Sequence, residues 1–196
     1  YFETLPGAAE RVCYPFGYGL SYTSFALETA EAGAESGKIR VAVRVTNTGN
    51  CPGREVAQLY YSAPWGLLQK PARCLGAFQK TRLLEPGERE TVELSFAITD
   101  MASFDDLGKI APSAWVLEQG RYALYVGTSV REAAELDWAW EQVETEVTRT
   151  VSDSLSPSHL PKRLLADGGW EELPAAPVAD TDINLLRPIH AGQAEA

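Results

Sequence analysis

Hydrophobic and polar residues alternate along several short segments of the chain. Between residues 38 and 46, isoleucine or valine occupies every second position, and polar residues fill most of the others. The alternation returns between residues 92 and 98, soon after a turn sequence that contains Pro86 and Gly87. A period of two is typical of a β-strand with one buried face. Both segments are therefore predicted to be strands that contribute one face to a core.

Shorter strands are predicted from apolar or β-branched runs bounded by turn residues. They cover residues 25–29, 56–61, 75–82, 114–117 and 122–126. Asparagine, glycine and proline between residues 47 and 53 predict either a hairpin or a crossing to a second sheet. The strands at 114–117 and 122–126 are predicted to pair with each other around a turn at residues 118–120.

Residues 132–151 fit two patterns. Trp138 and Trp140 would share one face of a strand, whereas Val143, Val147 and Val151 recur at helical spacing, and we favour the strand. Many short strands separated by turns, with no long segment of period 3.6, predict an all-β sandwich of the immunoglobulin type. From residue 152 onward, prolines with alanine, aspartate and glycine predict an extended, mostly irregular C-terminal tail.

Composition narrows the classes of function. The formal net charge is -10 and no basic cluster is visible, which argues against nucleic acid as a partner. No apolar run approaches the roughly 20 residues of a membrane-spanning helix, and the first residues lack a signal-peptide pattern, so no membrane partner is expected. Because the chain begins at Tyr1 rather than Met, a signal further upstream is not excluded. The compartment is left open, with a bacterial cytoplasmic enzyme favoured.

Residue types that carry catalysis or bind metals are sparse. Cys13, Cys51 and Cys74 lack the spacing of a disulfide framework or a zinc site and are predicted to be ordinary buried residues. His159 and His190 both lie in the proline-rich tail, which argues against a metal site and against a Ser-His-Asp arrangement. Neither a metal nor a cofactor is expected.

Residues 14–23 read Tyr-Pro-Phe-Gly-Tyr-Gly-Leu-Ser-Tyr-Thr, a specific signature. The segment resembles the sequence that joins the α/β sandwich domain to the fibronectin type III-like domain in family 3 glycoside hydrolases. Further matches to that family follow in order, at residues 43–49, 56–61, 70–71, 75–78, 84–88, 100–105 and 120–127. Together they cover most of the chain before its tail.

This resemblance implies a fibronectin type III/immunoglobulin-like β-sandwich that is a non-catalytic domain of a β-glucosidase-like enzyme. In the family, the nucleophilic Asp lies on a (β/α)8 barrel and the acid/base carboxylate also comes from outside the matched region. No catalytic residue is therefore expected here, and the chain alone is predicted to be inactive. β-Glucoside is the commonest substrate class in the family, and β-xyloside and N-acetylglucosaminide stay open.

The same resemblance implies three parts of the chain. Residues 1–23 would be the end of a preceding α/β sandwich domain and the junction, 24–151 the β-sandwich, and 152–196 a linker towards a following domain. That arrangement is similar to the subgroup of the family in which the barrel comes after the sandwich. The expected partners are the α/β sandwich and (β/α)8 barrel domains of the same parent enzyme.

Asp100, Asp105 and Asp106 form a tight group of carboxylates beside a predicted turn. Glycoside hydrolysis with retention requires two carboxyl groups about 5 to 5.5 Å apart, one of them with a pKa raised by burial. We interpret these three aspartates instead as solvated or helix-capping residues.

Two surfaces are candidates for contacts. In the junction, Gly17 and Gly19 allow close backbone approach while aromatic side chains anchor a partner, and the predicted interface residues are Pro15, Phe16, Gly17, Tyr18, Gly19 and Tyr22. The alternative is an oligosaccharide that stacks on Trp65, a ring in a loop flanked by proline and glycine. Trp115, Trp138, Trp140 and Trp170 are expected to fill the core or cover an interface.

Overall fold

The computed structural model describes residues 11–152, 161–165 and 168–173. Strands dominate this part of the chain, and a single 3-10 turn, Ile98–Met101, interrupts them. The strands are β1 Phe25–Glu35, β2 Lys38–Asn47, β3 Val56–Ser62, β4 Cys74–Lys80, β5 Arg89–Ala97, β6 Ser103–Asp105, β7 Ala114–Leu117, β8 Gly120–Gly127, β9 Ala134–Gln142, β10 Glu146–Thr150, β11 Lys162–Leu164 and β12 Trp170–Glu172.

Two antiparallel sheets form the sandwich. One has the order β1-β2-β5 and the other the order β4-β3-β8-β9. Alternate residues of β2 and β5 enter a common core with residues of β3 and β8 from the opposite sheet. A third small sheet, β10-β7-β6, covers a second cluster that contains Leu68, Ala114 and Val116. These findings confirm the predicted fibronectin type III/immunoglobulin-like β-sandwich.

The alternation along the chain explains which faces are buried. Ile39, Val41, Val43 and Val45 of β2 are at most 1% exposed, and their neighbours along the strand point outward. Strand β3 does not alternate, because both of its faces are covered. Leu59 packs into the main core, whereas Tyr60 faces a separate cluster with Val130 and Ala133. A strand covered on both sides reads as a continuous apolar run.

The predicted strands are present, with different partners in one case. The strand at 114–117 does not pair with the strand at 122–126: β7 pairs with β6 and β10, and β8 pairs with β3 and β9. Gly120, at a φ of 137°, lets the chain pass from one sheet to the other. Between β2 and β3 the chain crosses from one sheet to the other, so the predicted crossing is correct and the alternative hairpin is not. Residues 132–151 contain two strands, as favoured over a helix.

Part of the tail has regular structure that the sequence did not predict. Strands β11 and β12 form a short antiparallel hairpin. Arg163 of this hairpin donates to both carboxylate oxygens of Asp106, at 2.8 and 2.9 Å, and Lys109 reaches Glu171 at 2.8 Å. These ion pairs hold the hairpin against the loop after β6. Residues 1–10 and the rest of the tail, with both histidines, lie outside the described residues, and the three-part division stays a prediction.

The cysteine prediction was wrong for two of the three residues. Cys13 and Cys51 are exposed, and Cys74 is partly buried at the start of β4. Within the described ranges, no group of three His, Cys, Asp or Glu residues is placed to hold a metal ion. No helix among the same residues is long and apolar enough to cross a membrane.

Candidate docking site

The junction segment, defined as residues 14–22, is tied to the sandwich through its backbone. The amide of Val130 donates to the carbonyl of Phe16 at 3.0 Å, and the Gln58 side chain donates to the carbonyl of Gly17 at 3.0 Å. A turn follows Pro15, whose carbonyl accepts the amide of Tyr18 at 3.0 Å. The segment is therefore attached to β3 and to the loop after β8.

The two junction glycines differ in their surroundings. Gly17 has a φ of 80°, and a Cβ built there would lie 2.0 Å from Oε1 of Gln58. Gly19 has ordinary backbone angles and open space around its Cα. Gly17 thus allows close approach to this domain's own β3, and its approach to a separate partner stays a prediction. A Cβ added at Gly19 would have no described atom of this chain within 4 Å beyond its own neighbours in sequence.

Aromatic side chains of the junction segment face outward. Tyr22 is 99% exposed, Tyr14 71% and Phe16 59%, while Tyr14 and Tyr18 lie with ring centroids 5.3 Å apart. Pro15 is buried. Phe16, Tyr18 and Tyr22 are exposed, and the rings of Phe16 and Tyr60 lie nearly perpendicular to each other with centroids 6.5 Å apart. Exposed aromatic surface is typical of interaction sites, and the interface at these residues stays a prediction.

A groove of about 400 Å³ runs beside the junction segment. Val56, Leu75 and Phe78 contribute its apolar wall, and Phe78 is 68% exposed. Glu55 also lines the groove, and its partial burial raises the pKa of its carboxyl even though the amide of Val56 donates to it. Phe16 and Tyr18 line the same groove, and we call the groove together with the exposed rings of the junction segment the docking face.

A buried asparagine fixes the end of the junction segment. Asn47 is fully buried, and its amide group donates to the carbonyls of Cys51 and Leu84 at 2.8 and 2.9 Å. Its side-chain oxygen accepts the hydroxyl of Thr23 at 2.8 Å and the amide of Gly49 at 3.1 Å. From the sequence, Asn47 was predicted only to be a turn residue. Its position directly after a strand of buried valines was the available signal.

Trp65 lies on a loop that a buried ion pair holds in place. Trp65 is 67% exposed, whereas Lys70 and Glu118 are 6% and 5% exposed and bind each other. Glu118 also accepts the amide of Leu67 at 2.7 Å, and Lys70 donates to the carbonyl of Pro64 at 2.9 Å. The ring of Trp65 is therefore presented to solvent on an anchored loop, and the ion pair was not predicted.

The three aspartates have structural roles. Asp100 accepts the amide of Ala97 at 3.0 Å and so caps the 3-10 turn, and Asp106 binds Arg163. Asp105 is buried rather than solvated. Burial by itself would raise the pKa of Asp105, but backbone amides of residues 109–111 donate to its carboxylate and hold that pKa below its ordinary value. The lowered pKa of Asp105 is the opposite of the raised pKa that a general acid needs.

The remaining tryptophans separate into two groups. Trp138 and Trp140 pack against the main core, as expected. Trp115 and Trp170 are 41% and 57% exposed. The expectation that they fill the core was wrong, and whether they cover an interface stays a prediction.

Comparison with known proteins places this geometry in a class. The family model of the fibronectin type III-like domain matches residues 55–130. β-Glucosidase A of Butyrivibrio fibrisolvens is 52% identical over 196 residues, covering 92% of this chain and 24% of that protein. The β-glucosidase structure of Paenibacillus barengoltzii superposes with a TM-score of 0.78 at 39% identity, over 92% of this chain and 22% of its own. β-Glucosidase 3B of Thermotoga neapolitana, solved with α-D-glucose, gives a TM-score of 0.61 at 41% identity, over 68% of this chain and 18% of its own.

The chain is a fibronectin type III-like β-sandwich. It belongs to the accessory domains of this type in the family 3 glycoside hydrolases, whose β-glucosidases it matches over most of its length. It spans less than a quarter of the length of the relatives named above. The matching segments of those relatives are thus parts of larger enzymes.

Proposed function

We propose that this chain docks the catalytic domains of a parent β-glucosidase-type enzyme against one another and contributes no catalytic group. The observation that carries the proposal is the docking face, an exposed aromatic surface whose backbone is fixed to the sandwich. A rigid support with an apolar exposed face suits a permanent contact within one protein. The structural roles of Asp100, Asp105 and Asp106 support an accessory role.

The proposed partners are an α/β sandwich domain, reached through the junction segment, and a (β/α)8 barrel. The size of the relatives supports further domains in the same enzyme, because the matched segments make up 24% or less of them. In the proposed arrangement, residues 152–196 lead towards the barrel. The hairpin β11-β12 supports this by giving the departing chain a fixed starting direction.

Valine substitutions at the two junction glycines test the proposal in the parent enzyme. Gly19→Val should lower turnover and thermal stability of the parent but leave the melting temperature of the 196-residue chain unchanged, because no described atom of the chain lies within 4 Å of the added Cβ. Gly17→Val should destabilise both proteins, since its Cβ would overlap Gln58. Gly33→Val is the matched control, a second glycine in open space on β1. Unchanged parent turnover and stability with Gly19→Val would contradict the docking role.

A second candidate function is oligosaccharide binding by Trp65. The specific observation in its favour is the exposed ring on a loop anchored by Lys70 and Glu118. Calorimetric titration of the chain with cellobiose and longer gluco- and xylo-oligosaccharides tests it. Heat that saturates in the wild type and vanishes in Trp65→Ala would establish Trp65 as the binding residue. Heat that is unchanged in Trp65→Ala would exclude it.

A further inference from the structure

The outer face of the small sheet β10-β7-β6 carries three side chains in one line. Trp115 lies between Ala114 and Val116, which are both fully buried, so its own side chain points to the opposite, solvent-facing side. Its cross-strand partners are Phe104 on β6 and Arg149 on β10. Because β7 is the central strand, these residues flank Trp115 on either side. We call the three residues the aromatic row.

The rings of the row remain open to solvent. Phe104 and Trp115 are 40% and 41% exposed, and their centroids lie 5.5 Å apart with the planes tilted by 54°. The bulge opposite Trp115 shifts the register of β10, and the Thr148 hydroxyl donates to the Trp115 carbonyl at 3.1 Å. This hydrogen bond joins β10 to the backbone of β7 at Trp115. The row is therefore a preformed aromatic surface on a paired sheet.

A cleft of about 440 Å³ opens beside Trp115, a volume within the ordinary range for small-ligand sites. Four of its five lining residues are polar: Thr99, Asp100, Thr148 and Arg149. Within the described part of the chain, the Arg149 guanidinium forms neither an ion pair nor a hydrogen bond. Oδ2 of Asp100 caps the 3-10 turn, which leaves Oδ1 as an acceptor. Donors and acceptors thus surround one aromatic ring.

We propose that the aromatic row and its cleft bind a β-linked gluco-oligosaccharide. One pyranose ring would place its C–H face on Trp115, while its hydroxyls accept from Arg149 and donate to Asp100 and Thr148. The choice of a glucoside rests on the proposed function. The exposed lining of the cleft is about half polar and half apolar, which suits a pyranose with one C–H face and hydroxyls at its edge; the groove of the docking face, which we assign to a domain contact, is more apolar.

Titration of the 196-residue chain with cellotriose and cellotetraose tests this site. The wild type and Trp65→Ala should give the same saturable heat. Trp115→Ala should weaken binding at least about tenfold, which corresponds to roughly 1.4 kcal/mol. Arg149→Gln, at an exposed position, should weaken binding in the same direction without affecting folding. Melting temperatures establish that each variant is folded, and Trp115→Phe, which keeps an aromatic face, should retain most of the affinity.

Each contrary result overturns the site. No heat from the folded wild type would exclude it, and a lower melting temperature of the parent enzyme with Arg149→Gln would then assign the row to a domain contact. Heat that disappears in Trp65→Ala and persists in Trp115→Ala would place the saccharide on the Trp65 loop instead. The docking proposal is tested separately by Gly19→Val, so failure of either proposal is recognisable without the other.

Discussion

The buried ion pair between Lys70 and Glu118 gives a quantitative test of how the Trp65 loop is held. In Glu118→Gln, the Lys70 ammonium would stay buried without a counter-charge, and its acceptors would be neutral oxygens: the carbonyls of Pro64 and Leu68 and the new side-chain amide. Removing one partner of a buried pair costs about 3–5 kcal/mol, because the other charge is left uncompensated. Lys70→Met should cost less, about 1.5–3 kcal/mol, since two backbone amides still donate to the Glu118 carboxylate.

Urea denaturation followed by tryptophan fluorescence measures these losses. For a chain of this length, the Glu118→Gln loss corresponds to a fall in melting temperature of roughly 6–20 °C. The double variant Lys70→Met/Glu118→Gln should lose less free energy of unfolding than the sum of the single variants, because it leaves no unpaired charge. Glu28→Gln is the matched control: it breaks the exposed pair with Arg44, at 2.9 Å, and should cost less than about 1 kcal/mol. If Glu118→Gln costs no more than Glu28→Gln, the ion pair does not hold the loop.

Two further predictions concern buried polar groups. Asn47→Ala should lower the free energy of unfolding by on the order of 3 kcal/mol in urea denaturation, because four hydrogen bonds of its buried side chain are lost, although the Leu84 carbonyl still accepts from the Gly53 amide; a loss under about 1 kcal/mol would show that water replaces the amide. The pKa of Asp105 in the folded protein is below its ordinary value, so its carboxylate should stabilise the fold at neutral pH. The stability difference between wild type and Asp105→Asn should therefore disappear as pH falls through the folded pKa, below about 4. A gap between wild type and Asp105→Asn that does not change between pH 7 and pH 3 would contradict this assignment.

The strands were predictable because burial imposes a local period. The valines of β2 and the Val92, Leu94 and Phe96 series of β5 alternate because each of these strands buries one face. The pairing of the strands was harder to predict from the sequence. The partners of Ala114–Leu117 are set by the passage of the chain between sheets at Gly120, and a local pattern does not report which sheet a strand joins.

The docking face was only partly predictable. The aromatic residues of the junction segment were visible as a motif. Their exposure did not follow from the pattern, because a large apolar or aromatic residue occupies every second position from 14 to 22, as in a strand with one buried face. The role of Gly17 was not predictable. The absence of a Cβ at Gly17 leaves space for Oε1 of Gln58, which is 41 residues further along the chain. A contact over that separation is created by the fold.

Long-range polar pairs were invisible for the same reason. Lys70 and Glu118 are 48 residues apart in the sequence. Each lies in a predicted loop or turn, where a charged residue is expected to be exposed. The tail hairpin was also missed, because its strands of three residues are too short to show a period. Its ion pairs with Asp106 and Lys109 depend on the loop after β6.

Side-chain footprinting with hydroxyl radicals tests the docking role most directly. The 196-residue chain and the parent enzyme are oxidised under identical conditions, and modification of Tyr22, 99% exposed here, is compared with that of Tyr122, which is fully buried. If the junction segment docks against another domain, Tyr22 reacts rapidly in the chain and several-fold more slowly in the parent, with Tyr122 protected in both. Equal modification of Tyr22 in the two proteins would contradict it.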